Sequence, residues 1–327
     1  MAGKSFRDIF PADMIPLGFG CGALMDKLGP TESLRLLEIA LDSGIKYFDT
    51  ARMYGYGRAE GILGKLMPRH RKHVILASKA GIVPPDRSIP QRLASRGIRL
   101  LQRRMPKLKD FVRPPEVWQP RFGMFEVADL AKSLETSLKE LRTDYLDIFL
   151  LHECTAADIG SPRLLEFLQN LKQKGKVRAF GIATGIEETI DILERYPVIS
   201  PVVQIPNTFW DMNIRRLPTG PEILTITHSC LANRLPSLMA QLASNDLLAK
   251  QWNTKTHIDP RDANSVAQLL LAHALASNPD GIVLFSSTSP KNIRRNARMA
   301  LGGIVSSAQI EGLNALAKEL NCASGYQ

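Results

Sequence analysis

Apolar positions along the chain fall into two alternating kinds of run. Short β-branched and aromatic stretches are separated by longer segments in which leucine recurs every three or four residues, the pattern of parallel strands joined by crossover helices. Strands are predicted over Ile15–Gly20, Ile45–Asp49, His73–Lys79, Leu146–Leu151, Lys176–Ala183, Pro201–Ile205, Glu222–Thr227 and Gly281–Phe285. A helix is predicted from about Thr31, with Leu34, Leu37 and Leu41 on one face, and a second over Arg58–Leu66. Leu130, Leu134, Leu138 and Leu141 mark a third, and a fourth runs over Arg163–Lys174 until Gly175 stops it as a C-cap. Val266, Leu269, Leu270 and Leu275 give the segment Asp262–Ser277 a clear apolar face; the other late crossovers carry weaker patterns.

Leu146–Leu151 is almost wholly apolar, as a strand covered on both faces must be. Eight strands is the count of a closed barrel, and 327 residues suit one such unit. The expectation is therefore an α/β fold, a (β/α)8 TIM barrel forming a single domain over residues 1–327, with a basic βα-loop insertion at about 84–124. A doubly wound dinucleotide-binding sheet also alternates strands with helices, but its glycine fingerprint is missing. Gly18, Gly20 and Gly22 lack the third glycine at the right place and do not lead straight into a helix. No phosphate-cradling Gly-x-x-x-x-Gly-Lys-Ser/Thr run, internal repeat or low-complexity tract is present.

Composition narrows the classes further. No apolar run approaches the roughly 18 residues that span a bilayer, and no apolar leader follows the start, so a cytoplasmic protein without membrane association is expected. Cys21, Cys154, Cys230 and Cys322 lie far apart, and neither they nor the six histidines fall at metal-ligand spacing, so no metal site is expected. The net charge of +10 is concentrated between Asp86 and Arg121, where ten Arg/Lys face three Asp/Glu. Such a patch attracts an anionic ligand or polyanion, or is simply a solvated face. It contains no recognised nucleic-acid-binding module, so no nucleic-acid partner is expected.

Four polar residues fall where strands end, namely Asp49, Lys79 and His152, with Tyr54 five residues beyond Asp49. Taken singly, each has a plain explanation as a cap or a solvated side chain. In a barrel, however, strand ends converge on one face. There they form a coherent proton-transfer group, because a phenol becomes a usable acid near neutrality when an adjacent cation stabilises its phenolate. Lys79 is that cation, Asp49 holds it charged, and His152 is placed to orient a carbonyl by a hydrogen bond.

These residues carry a resemblance. From Gly44 to Glu60 the chain reads Gly-Ile-Lys-Tyr-Phe-Asp-Thr-Ala-Arg-Met-Tyr-Gly-Tyr-Gly-Arg-Ala-Glu, with Gly64 and Lys65 behind it. This closely resembles the signature of the aldo-keto reductase family, whose Asp-Thr-Ala-x-x-Tyr supplies two of a catalytic tetrad. Ile75–Lys79 resembles the family's third strand with its lysine, and Tyr145–His152 its fourth strand with its histidine. The resemblance extends from about Ile15 to Asn296. It implies a barrel that binds NADP or NAD, NADP ahead by a narrow margin, and interconverts a carbonyl (aldehyde, ketone or sugar) and an alcohol, with Tyr54 as general acid/base. It implies neither metal nor flavin.

The resemblance also implies cofactor contacts from Thr184, Gln204, His228, Ser229, Ser286, Ser287, Asn292, Arg295 and Asn296. The chain departs from the family at several of these positions. Ala183 and Thr184 stand where Ser-Asn is usual, His228 where a larger ring stacks on the nicotinamide, and Ser286 and Asn292 where basic residues meet the 2′-phosphate of NADP. Lys291, Arg294 and Arg295 lie close enough in sequence to compensate in part. The altered positions motivate an alternative, a dinucleotide-binding regulatory or redox-sensing subunit without significant turnover. The basic insertion follows strand three and so belongs to the active-site face. Leu100, Leu101, Met105 and Leu108 among its arginines suggest an amphipathic helical lid over a small, anionic substrate, with a solubilising insert or a subunit contact as the alternatives.

Overall fold

The computed structural model describes residues 10–11, 14–25, 28–85, 119–196, 201–218, 223–231, 234–302 and 305–323. Eight parallel strands close into a barrel in chain order: β1 (Leu17–Gly20), β2 (Tyr47–Asp49), β3 (Ile75–Ala80), β4 (Leu146–His152), β5 (Val177–Ala183), β6 (Val202–Pro206), β7 (Leu224–His228) and β8 (Ile282–Phe285). β8 returns to β1 through Leu17↔Val283, Gly18↔Leu284 and Phe19↔Phe285, which closes the ring.

Helices form the outer layer: α1 (Pro30–Asp42), α2 (Ala59–Leu63), α3 (Val127–Leu141), α4 (Pro162–Gln173), α5 (Ile186–Arg195), α6 (Arg234–Ser244), α7 (Asp246–Thr256), α8 (Ala263–Ser277), α9 (Pro290–Ala300) and α10 (Ser307–Ala323). Among the described residues no helix is long and apolar enough to cross a membrane. α4 ends one residue before Lys174, and Gly175 follows at φ +68°, the left-handed conformation predicted for that stop. The second predicted helix is shorter than its pattern suggested. α2 ends at Leu63, and a separate turn, Met67–His70, begins at the Met-Pro pair, where proline suits a helix start.

Two cores follow from strand alternation. Inward residues Tyr47, Ile75, Ala77, Ile148, Leu150, Ala179, Val202, Leu224, Ile226, Ile282 and Leu284 fill the barrel, with Phe10 and Met14 packed at its base. Outward residues Leu17, Phe19, Phe48, Leu76, Phe149, Leu151, Phe180, Ile182 and Val203 pack under the helices. Gly18 has no side chain because Tyr47 occupies the interior beside it: a Cβ there would lie 2.7 Å from the Tyr47 ring.

The insertion after β3 returns to the strand end it left. Val83 and Arg121 form an antiparallel bridge with N···O distances of 2.9 and 3.0 Å, and Met124 N–H donates to Gly81 O at 3.0 Å. Both feet of the segment therefore stand at the C-terminal end of the barrel. The expected lid, with Leu100, Leu101, Met105 and Leu108, lies outside the described residues.

Candidate active site

The alternation that builds the barrel core also determines what faces its mouth. Carried to the C-terminal end, the inward register delivers one residue per strand: Gly20, Asp49, Lys79, His152, Ala183, Gln204, His228 and, just past β8, Ser286. All eight line a single cavity of about 600 Å3. Register connects neighbours across the floor, with Gly20↔Asp49, His152↔Ala183 and Ala183↔Gln204 as strand partners.

Tyr54 reaches this floor from the loop after β2. Thr50 N–H and Arg52 N–H continue the ladder to Ala77 O and Lys79 O at 2.9 and 3.2 Å, holding the loop against β3. The chain then reverses through Gly55, Tyr56 and Gly57, all at positive φ. Gly55 is required there both by its φ of +59° and by space, since a Cβ would lie 2.8 Å from Leu24 O.

Lys79 is buried, and its ammonium donates to Asp49 Oδ2 at 2.6 Å, Thr50 O at 3.0 Å and the Tyr54 hydroxyl at 3.2 Å. An ammonium has three protons and no lone pair. The Tyr54 oxygen is thus the acceptor in that contact, and its own proton is left to point into the cavity. Burial works against the charge on Lys79, but Asp49 and Tyr54 more than offset it and hold the ammonium protonated above its usual range. Burial raises the Tyr54 phenol, and the charge on Lys79 pulls it partly back. The hydroxyl therefore keeps its proton at neutral pH.

His152 stands edge-on to Tyr54, ring centroids 6.1 Å apart. Burial, reinforced by Lys79 and His228, lowers its pKa to about 3, and burial with Lys79 lowers that of His228 to about 4. Both imidazoles are neutral at pH 7, each with one N–H to donate and one nitrogen to accept. His228 Nδ1 lies 2.8 Å from Ser229 Oγ, and Ser229 is held at φ +64°.

The remaining expected contacts divide in two. Thr184, Gln204, His228, Ser229, Ser286 and Asn296 line the cavity. Thr184 Oγ1 donates to Cys154 O at 3.3 Å, Ser286 Oγ to Gly20 O at 2.8 Å, and Asn296 Oδ1 accepts from Gln268 at 2.9 Å. Gln204 Oε1 is buried with no hydrogen-bond partner. Ser287, Asn292 and Arg295 fall outside the lining, on the turn into α9 and its first turns; Arg295 donates to Asn292 Oδ1 at 3.0 Å, and its Nε is buried without a partner.

Gly22, Glu153, Gly185, Cys230, Leu231 and Leu271 also line the cavity and were not singled out by sequence. Glu153 had a signal: it directly follows a strand-end histidine. Cys21, Cys154 and Cys230 are buried free thiols, and burial pushes those of Cys154 and Cys230 up to about 12, which leaves them poor nucleophiles. The side chain of Cys322 lies outside the described residues. Among the described residues no three His, Cys, Asp or Glu side chains gather as a metal site would require.

A closed parallel barrel with titratable side chains gathered at its C-terminal face is the architecture of a barrel enzyme. Residues 16–215 match the model of the aldo/keto reductase family, and the chain belongs to that family of oxidoreductases. It is 30% identical over 172 residues to an uncharacterised oxidoreductase of Bacillus subtilis, covering 53% of this chain and 45% of that protein. It is 26% identical over 241 residues to a D-threo-aldose 1-dehydrogenase of a Pseudomonas species, covering 72% of this chain and 67% of that one. The chain spans about half the length of the first curated relatives it matches. Among solved structures it resembles an aldo/keto reductase from Klebsiella pneumoniae in complex with NADP and acetate, with a TM-score of 0.64, 21% identity, and 93% and 92% of the two chains covered.

Proposed function

We propose that this chain is a single-barrel, nicotinamide dinucleotide-dependent reductase or dehydrogenase that interconverts a small-molecule carbonyl and its alcohol, with Tyr54 as the general acid/base. The observation that carries this reading is the saturation of the Lys79 ammonium by Asp49, Thr50 and Tyr54, which leaves the phenol proton free to enter the cavity.

The floor fits the nicotinamide end of such a cofactor. Gln204 Oε1 is a buried acceptor with no partner, suited to a carboxamide N–H. Gly20 and Ala183 keep the floor low, His228 presents a ring, and Ser229, Ser286 and Asn296 bring hydroxyl and amide groups to the rim. Thr184 already donates to Cys154 O, so its part is to shape the wall and not to grip the carboxamide. Ser287, Asn292 and Arg295 would serve the adenosine end, where the Arg295 guanidinium beside Asn292 suits a phosphate and favours NADP over NAD. Bound there, the dinucleotide supplies or takes up the hydride.

The chain's own residues handle the proton and the geometry. In reduction Tyr54 gives its proton to the carbonyl oxygen, while the Lys79 ammonium beside it stabilises the phenolate left behind. Asp49 keeps Lys79 charged and fixed. His152, neutral, donates an N–H to the same oxygen and fixes its angle to Tyr54. In oxidation the phenolate takes the alcohol proton back.

The test is absorbance-monitored turnover of NADPH and NADH by the purified protein on aldehydes, ketones and sugars. Turnover supports the reading, and dinucleotide binding without turnover of any carbonyl in the panel would sink it.

A further inference from the structure

The basic segment after β3 suggests a preference for anionic substrates, but the described cavity wall carries the opposite charge. Asp49 and Lys79 cancel at 2.6 Å, and His152 and His228 are neutral at pH 7. That leaves Glu153. It lines the cavity at its solvent-exposed rim, immediately follows His152, and among the described residues its carboxylate has no hydrogen bond or ion pair.

The placement of Glu153 is unusual in a way its own side chain does not explain. Its backbone sits at φ +56°, the left-handed region that a non-glycine residue enters only at a cost. It is held there from both sides: Glu153 N–H donates to Ala183 O at 2.8 Å, extending the β4–β5 ladder by one residue, and Cys154 O accepts from Thr184 Oγ1. The chain is clamped so that the residue after His152 turns at the cavity wall, and backbone strain of this kind concentrates where side chains are aimed at a ligand. Partial burial, and after it the charge of another carboxylate, Glu188 on α5, raise the Glu153 carboxyl. That is the condition of an acid short of a cation.

We propose that Glu153 sets the charge specificity of the substrate site: it excludes carbonyl compounds bearing a carboxylate or phosphate near the reacting carbon and accepts those bearing a hydrogen-bond donor there, a hydroxyl or an ammonium. The physical basis is twofold. A carboxylate offers acceptors only, so it completes a substrate O–H or N–H and leaves another carboxylate unpaired. Rejection through an unpaired charge is also the stronger form of discrimination. The inference rests on the carbonyl-reductase reading of the site and assigns its substrate class.

Four short aldehydes that differ at one group make the test: propionaldehyde (apolar), glycolaldehyde (hydroxyl), aminoacetaldehyde (ammonium) and glyoxylate (carboxylate). Each is assayed for kcat/KM with the wild type and with Glu153→Gln and Glu153→Lys. For the wild type, hydroxyl- and ammonium-bearing aldehydes should lead and glyoxylate should be poorest. In Glu153→Gln the glyoxylate-to-propionaldehyde ratio should rise about tenfold and the aminoacetaldehyde-to-propionaldehyde ratio fall about tenfold, the effect of one charge at close range in a partly wet site. Glu153→Lys should reverse the order of glyoxylate and aminoacetaldehyde. Ratios that stay within about twofold across the three proteins, with turnover intact, overturn the proposal and leave the enzyme reading standing. A wild type that turns over none of the four overturns the proposal, and one that also turns over no ketone or sugar overturns the enzyme reading with it.

Discussion

Ser78 Oγ donates a 2.6 Å hydrogen bond to Glu60 Oε1, tying helix α2 to strand β3 one residue before Lys79. The other oxygen of the same carboxylate accepts from Arg52 Nη1 at 2.6 Å, and Arg52 N–H donates to Lys79 O. Glu60 is fully buried, so one carboxylate links the loop that carries Tyr54 to the strand that carries Lys79. Glu60→Ala should therefore lower stability by about 3–5 kcal/mol, the usual penalty for removing one partner of a buried ionic group. Glu60→Gln, which can still accept from Ser78, should lose less. Urea unfolding of both variants checks this; equal, sub-kilocalorie losses would show that the linkage is inert.

Tyr54→Phe removes the proposed acid and nothing else from the floor. Turnover should drop by about 10²–10⁴-fold, the usual contribution of a positioned proton donor. Dinucleotide binding, followed by fluorescence titration, should stay within about twofold of wild type, because the phenol acts on the substrate oxygen. Unchanged turnover would move the acid role elsewhere.

Much of this site was legible in the sequence because strand ends are easier to place than helices. All eight strands were predicted, since a run buried on both faces stands out by composition alone, and the inward parity of Asp49, Lys79 and His152 follows once each strand end is fixed. Start points were less exact. His73 was assigned to β3, but Arg71–His73 forms a 3₁₀ turn and the strand begins at Ile75. Helices with narrow apolar faces escaped: α5 buries only Thr189, Ile192 and Leu193, and α9 only Ile293, Ala297 and Met299. Glu153 follows a strand-end histidine, a signal that was open to reading, but its left-handed backbone and its lack of a partner are not revealed by residue spacing.

Asp147 lies at the opposite end of β4 from His152 and should matter for folding alone. It is fully buried, accepts Leu76 N–H at 2.9 Å, and pairs with Arg71 and Arg178 at 2.9 Å, while both guanidinium groups cover the Tyr145 ring, at 3.6 and 4.7 Å from its centroid. Asp147→Ala leaves the Leu76 N–H without its acceptor and takes the countercharge from Arg71 and Arg178, which keep their bonds to Tyr145, a loss of about 3 kcal/mol. The surviving folded fraction, counted by active-site titration with dinucleotide, should turn over at the wild-type rate per site. A reduced rate per site would show that the barrel base communicates with its mouth.

The two cavity histidines predict an acid limit to stability. Their folded pKa values, about 3 for His152 and about 4 for His228, lie below the ordinary 6.5, so both stay neutral in the fold while the unfolded chain takes up their protons. Stability is unaffected by them above about pH 6.5 and falls as the pH drops below it, because the unfolded state then binds more protons. Each contributes a slope of about 1 kcal/mol per pH unit between roughly pH 6 and pH 4. Chemical denaturation midpoints measured across that window should decline, and the decline should flatten by about half in either His152→Gln or His228→Gln. If the wild type and both cavity variants share one slope, the imidazoles take up protons in the fold as readily as in the unfolded chain, and burial does not hold them neutral across that window.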